Sequence, residues 1–300
     1  MKRLQLTIAL MIALHAGTAN AQQQTVRLSV PGFARPLVEK WVQEYSKTQP
    51  GVDFLWVNGQ DAQGDGALRF VVADGTPSAK TVAVGKYAVL PVINKNSEAE
   101  QLLAGKSLNA KRLKSLFFLK DELDDDTPKE SKAERAVHIY SGNSRQSASR
   151  AFAALFKQET TQFKGKKISG DDRFLNTALS RDPLGVTVNA LPNLFDLGNR
   201  QLNASLAVVP LDVDKQSRQV LDSGSLDAVI QLLERQHFDA IAIGKVGAAY
   251  DSNDNRIGDF VRWILTDGRQ YVHEYGLLQL PEKELTASLK QAGQKDLAQK

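Results

Sequence analysis

Apolar and polar positions first alternate at Val26–Val30, which predicts a strand ended by Pro31-Gly32. Pro36 follows where a helix can start, at a position that tolerates a missing N–H. Leu37, Val38, Trp41, Val42 and Tyr45 then recur at helical spacing and form one apolar stripe. Pro50-Gly51 closes that helix, and Val52–Val57 reads as a second strand. Strand, helix and strand with short connections open a parallel α/β sheet. Leu68, Phe70, Val71 and Val72 continue the apolar pattern, and Thr81–Val92 predicts one long strand or two short ones, interrupted by Gly85 and Pro91. Helices are expected over Ser97–Ala104 and Asn109–Phe118. The stretch Lys120–Arg135, dense in both charge signs, reads as a solvated surface loop. A strand at Ala136–Tyr140 leads through a small polar loop into a helix over Ala148–Gln158, with Ala151, Phe152, Leu155 and Phe156 facing inward. Gly185–Val188, Leu206–Val209 and Ala240–Ile243 read as short buried strands, and Leu226–Leu233 and Ile257–Leu265 as helices.

The first twenty-one residues follow a different pattern. Lys2 and Arg3 precede an apolar run, Leu4–Ala16, broken only by Gln5, Thr7 and His15. Ala19-Asn20-Ala21 supplies a small-x-small cleavage site. The run is shorter than the roughly 20 apolar residues a membrane span needs. A signal peptide is therefore expected over residues 1–21, with a mature chain beginning at Gln22 in the periplasm.

Composition narrows the classes. The chain has no cysteine, which excludes disulfides, thiolate metal sites, a cysteine nucleophile and a lipobox, so a soluble protein without a lipid anchor is expected. Removing Lys2 and Arg3 with the leader lowers the formal charge from +4 to +2. No segment interleaves basic and aromatic residues, so nucleic acid is set aside as a partner.

Candidate chemistry lies in three loops, each leading from a strand toward a helix or turn. They are Pro31-Gly32-Phe33-Ala34-Arg35, the glycine-rich segment Gly59–Gly66 containing Gln60 and Asp61, and Ser141-Gly142-Asn143-Ser144-Arg145-Gln146-Ser147. Helix starts leave backbone N–H groups unpaired, and glycine and serine let an anion approach them. Arg145 could add a forked contact to an oxyanion. Loops at equivalent ends of parallel strands converge on one crevice. Other motifs fail. Asp251-Ser252-Asn253-Asp254-Asn255 begins like a calcium loop, but Arg256 and Arg262 stand where glycine and glutamate are needed. His138, His237 and His273 show no ligand spacing, and Ser144 lacks the second glycine of a nucleophile elbow. No cofactor and no enzymatic activity are expected; a hydrolase would rest on Ser144 or Asp61 alone.

The order of these features resembles the periplasmic phosphate-binding proteins of ABC importers (PstS type). The resemblance rests on Pro36–Tyr45, Gly85–Asn94, Gly105–Asn109 before Leu113 and Phe117, Ser141–Phe156, and Phe260–Tyr271 with Glu274–Pro281. It implies an α/β, two-lobed type 2 periplasmic binding protein fold, each lobe a mostly parallel sheet flanked by helices, with two hinge crossings. Lobe I is expected over residues 22–90 plus 241–300 and lobe II over 91–240. It also implies capture of a small oxyanion, phosphate first, by a monomer that passes it to an ABC importer permease. The candidate ligand residues are Gly32, Phe33, Gln60, Asp61, Ser141, Gly142, Asn143, Ser144, Arg145 and Ser147, with Asp74 a weaker acceptor carboxylate. The departures fall at the ligand loops. That family brings a hydroxyl residue next to the phenylalanine of its first loop, whereas Phe33 lies between Gly32 and Ala34, and Gly59–Gly64 has no hydroxyl at all. A rival reading follows, in which the scaffold is kept and the ligand site lost, leaving an interaction or signalling protein.

Overall fold

Alternation along β1 (Gln24–Ser29) puts Val26 and Leu28 in the core, and a 3-10 turn at Gly32–Ala34 carries the chain into α1 (Arg35–Thr48). The computed structural model describes residues 24–293 except 60, 74–80, 121–127, 129 and 252. The expected leader, Gln60 and Asp74 lie outside the described residues. Pro36 occupies the first turn of α1, and Leu37, Val38, Trp41 and Tyr45 form its buried face. Trp41 Nε1–H donates to the Gly268 carbonyl at 2.8 Å, tying α1 to a distant turn. β2 (Val52–Trp56) and β3 (Ala67–Ala73) flank β1, both parallel to it.

β4 (Thr81–Asn94) is one unbroken strand in spite of Gly85 and Pro91. Ser97 caps α2 (Glu98–Leu103), and Asn109 caps α3 (Ala110–Phe117), each side chain accepting a backbone N–H. α4 (Lys132–Ala136) interrupts the charged stretch expected to be a solvated loop. Ser131 and Glu134 close a capping box there, and Glu134, 5 % exposed, pairs with Arg112 at 2.9 Å. A buried carboxylate held by three donors is no surface charge, and the helix delays β5 (His138–Gly142) by two residues from its expected start. α5 (Ser149–Leu155), β6 (Lys166–Ile168), α6 (Arg173–Ser180) and β7 (Gly185–Ala190) follow. The chain continues through α7 (Leu191–Leu194), the paired β8 (Phe195–Asp196) and β9 (Gln201–Leu202), and β10 (Leu206–Val208). It ends with α8 (Lys215–Asp222), α9 (Leu226–Arg235), β11 (Ala242–Ala249), α10 (Asn255–Leu265) and α11 (Glu282–Gly293).

Among the described residues the main sheet runs β2-β1-β3-β11-β4-β7-β5-β6, with β10 also on β4. β4 joins its two halves. Residues Thr81 to Val89 pair with β11, and Val89 to Ile93 pair with β7, so Val89 alone is paired to both. Beyond that point β10 takes the side that β11 has left. The returning chain enters β11 at Ala242, directly opposite Val89. The two crossings between the halves are thus neighbours in one sheet. Gly244 faces Tyr87 across the same ladder, where a Cβ would collide with the Tyr87 ring. β1, β2 and β3 are parallel in one half, and β5, β6 and β7 in the other.

Candidate functional site

The loops after β1, β2 and β5 leave the carboxyl ends of parallel strands, where open α/β sheets bind their ligands. Phe33 is buried and its ring lies 4.6 Å from that of Tyr87, so it packs the core under the loop. Gly32 is half-buried and faces the opposite half of the molecule. Asp61 is exposed, with its N–H on the Asn58 carbonyl. Ser141 is fully buried, and its hydroxyl has no hydrogen-bond partner among the described residues. Gly142 is buried, Asn143 exposed and Ser144 partly buried. Arg145 is exposed, and no hydrogen bond or ion pair joins its side chain to a described residue. Ser147 is 1 % exposed.

The backbone donors of the Gly142–Ser149 turn are largely spoken for. Gly142 N–H donates to Ser149 Oγ at 3.0 Å and Asn143 N–H to the Ile168 carbonyl at 3.1 Å. Gln146 N–H reaches Ser144 Oγ, Ser147 N–H the Ser144 carbonyl, and Ser149 N–H the Ser147 Oγ. Ala148 N–H is taken by Asp172 Oδ2 at 2.6 Å. The Ser147 hydroxyl donates to the same carboxylate. A Cβ on Gly142 would lie 2.5 Å from Asp172 Oδ1 and would collide with Ser147 Oγ, so only glycine leaves room for this arrangement. The seat therefore holds an oxyanion, and it is the protein's own. Burial pushes the Asp172 carboxyl up to about 6, against the lowering effect of the Ser147 and Ala148 hydrogen bonds, with the nearby Asp171 adding to the rise.

Asp171 and Asp172 share the turn between β6 and α6. Asn189, fully buried on β7, fixes that turn: its Nδ2 donates to the Asp172 carbonyl at 2.8 Å and to Asn176 Oδ1 at 3.1 Å. Its Oδ1 accepts from Ala190 N–H and from Asn193 Nδ2, both at 2.9 Å. Asp171 accepts from Arg173 Nη2 at 3.1 Å and from the Arg173 N–H at 2.8 Å. Its carboxylate lies beside Gly32, so close that a Cβ there would come 2.8 Å from Asp171 Cγ. Gln146 Oε1 accepts from the Val72 N–H of β3 at 3.2 Å, a second link between the halves.

No protein-family model matches the chain, and no curated protein matches it in sequence. Solved structures do match in shape. A candidate phosphate ABC transporter substrate-binding protein from Clostridium perfringens, solved with bound phosphate, is 12 % identical with a TM-score of 0.54, over 86 % of this chain and 100 % of that one. An ABC-type phosphate transport receptor from Vibrio cholerae is 10 % identical with a TM-score of 0.49, over 85 % of this chain and 100 % of that one. A regulatory domain of OxyR2 from Vibrio vulnificus is 12 % identical with a TM-score of 0.47, over 81 % of this chain and 95 % of that one. The fold is the two-lobed periplasmic binding protein fold. No described helix is long and apolar enough to cross a membrane.

Asp171, Asp172 and Asn189 surround the candidate loop in the fold and are not among the residues the sequence pattern singles out. The signal available was Gly170-Asp171-Asp172-Arg173 ahead of Leu175 and Leu179, a polar turn opening a helix. The failed calcium segment borders a surface cavity of about 480 Å³ with Asp65, Asp251 and Arg256 in its wall. Asp254 spends its carboxylate on the start of α10 and on Arg256 Nη2 at 2.6 Å. His138 and His273 each pair with one carboxylate, Asp182 and Glu234, both at 2.8 Å. Among the described residues no group of three or more His, Asp or Glu is placed to hold a metal ion.

Proposed function

We propose that the chain is an exported, two-lobed solute-binding protein, not an enzyme, that takes a small oxyanion between the Gly32 loop and the Gly142–Ser149 turn. The observation that carries this is the Asp172 carboxylate on Ala148 N–H and Ser147 O–H. Donors that hold a carboxylate at hydrogen-bonding distance have the geometry and polarity for an external oxyanion once Asp172 withdraws. Phosphate is the leading ligand, supported by the likeness in fold to a structure with bound phosphate. In this reading lobe I comprises residues 22–90 plus 241–300 and lobe II residues 91–240. The lobes meet at β4 and β11, the leader is removed on export, and an ABC importer permease receives the ligand.

A second reading keeps the scaffold as a periplasmic interaction or signalling protein. It is favoured by the internal acceptors on the N–H groups of Gly142, Asn143 and Gln146 to Ser149. Calorimetric titration and thermal melting with phosphate, arsenate and sulfate at pH 7.5 separate the two. A ligand at about 100 times its dissociation constant adds roughly 2.7 kcal/mol of stability. No heat and no melting shift at millimolar concentrations of all three anions, in both wild type and Asp172→Ala, would leave the second reading standing.

A further inference from the structure

We propose that the Asp171–Asp172 turn is a built-in strap that holds the crevice closed without ligand, so that an entering anion must displace Asp172 before it can bind. This inference rests on the oxyanion reading of the crevice only for what displaces the strap, not for the strap itself.

Two consecutive carboxylates on one turn do different work. Asp172 points into its own half and is held by Ala148 N–H and the Ser147 hydroxyl. Asp171 reaches the other half and fills the space beside Gly32 that a Cβ would need. The turn between them is anchored from below by the buried Asn189, whose amide holds the Asp172 carbonyl at 2.8 Å and bonds the half-buried Asn176 and Asn193. Gln146 lies one residue before Ser147 and accepts from Val72 N–H across the crevice at 3.2 Å. Seating Asp172 thus orders the turn that carries Gln146 and fixes the turn that carries Asp171. The two approaches between the halves, the Asp171 carboxylate beside Gly32 and the Val72–Gln146 hydrogen bond, are both carried by turns that Asp172 seats.

The consequence is an inverted order of events. A crevice closed by its own carboxylate keeps the Ala148 N–H and the Ser147 hydroxyl occupied, and the apparent affinity for an external anion is reduced in proportion to the fraction of molecules in which Asp172 has left. Removing the strap should raise phosphate affinity and let the halves separate.

The test uses the chain's lack of cysteine, which makes two introduced cysteines the sole labelling sites. Gln43→Cys on α1 and Ala154→Cys on α5 are exposed positions, one in each half. Electron–electron dipolar distances between spin labels there should be single and narrow without anion in the wild-type background. Gly32→Ala and, separately, Asp171→Ala should shift or broaden the distribution to longer distances. Asp171→Ala removes a partly exposed side chain, so it serves if Gly32→Ala fails to fold. Asp172→Ala should in addition bind inorganic phosphate roughly tenfold or more tightly than wild type. A wild-type distribution already broad without anion, or distributions in both Gly32→Ala and Asp171→Ala that match wild type, overturns the strap. Variants that open while neither they nor wild type bind phosphate leave the strap standing and remove the oxyanion reading.

Discussion

Asp172 Oδ2 lies 2.6 Å from the Ala148 amide nitrogen, so the donor at the entry to α5 is held by a carboxylate 24 residues away in sequence. The contact does for this turn what an N-cap residue does from within, because the residue preceding α5 is Ala148, which has no side-chain acceptor. It also makes the turn's stability depend on Ser147, which donates to Asp172 and accepts from Ser149 N–H at 3.1 Å.

Ser147→Ala should therefore cost about 1–3 kcal/mol, because it strands a buried acceptor and a buried donor together. Ser144→Ala loses only the 3.2 Å bond to Gln146 N–H and should cost less, on the order of 0.5 kcal/mol. Urea unfolding of the two variants gives the ranking, and an equal or reversed order would contradict the bonding described. Gly142→Val is a poor probe of ligand binding for the same reason. Its side chain meets Ser147 and Asp172 with no ligand present, so the melting temperature should fall by itself.

Arg145→Ala should be nearly silent. The side chain is exposed and pairs with no described residue, and such surface changes stay within about 0.5 kcal/mol. The sequence pattern alone made Arg145 the cation of the loop. If calorimetry with phosphate shows a loss of tenfold or more, Arg145 swings onto the ligand and belongs to the site after all.

Much of the scaffold was legible because its physics is local. The stripe from Leu37 to Tyr45 needs only helical periodicity, and Ser97 and Asn109 announce α2 and α3 as caps. The apolar run Ala240–Ile243 predicts a shorter strand than β11, since Gly244 and Gly247 break the pattern. The ring of Tyr87 across the ladder explains the first glycine, and Thr81, whose methyl a Cβ at 247 would strike, explains the second. The burial of Glu134 depends on Arg112, 22 residues away, so no local pattern could tell it from the surface charges around it. The same holds at the site. The loops were visible as glycine and serine between strand and helix, but their occupant, Asp172, arrives from another turn through a contact that only the sheet order brings about.

Phe33→Ala should act on the core. The ring is 2 % exposed and lies 4.6 Å from Tyr87, and truncating a buried phenylalanine costs about 3–5 kcal/mol. Thermal melting should show that loss in full, while the phosphate affinity of the folded fraction changes far less. A large affinity loss with little change in melting would instead put the ring against the ligand.

The pH dependence of Asp172→Asn isolates the buried carboxylate. Burial raises the Asp172 carboxyl from 3.8 to about 6 in the folded protein. Between those values the folded state holds a proton that the unfolded state has lost, so this group destabilises the fold increasingly as pH rises through 4 to 6. A shift of this size corresponds to about 3 kcal/mol once pH exceeds 6, the full penalty of keeping the carboxylate ionised in the core. Other carboxylates pull the opposite way. Glu134, Asp182 and Asp254 are held below their usual values by hydrogen bonds and neighbouring cations or histidine, and their contribution is lost as pH falls. The whole-protein profile mixes both signs, but the difference between wild type and Asp172→Asn cancels the shared groups. Asparagine keeps an acceptor for Ala148 N–H and Ser147 O–H without the charge, so the variant should gain on wild type at pH 7.5. That advantage should shrink by about 2 kcal/mol on moving to pH 4.5, as wild-type Asp172 takes up its proton in the folded state. Paired urea titrations across this range supply the slope. An advantage that is flat or grows on acidification would mean that Asp172 is ionised and fully stabilised by its donors, in a far better anion seat than its burial implies.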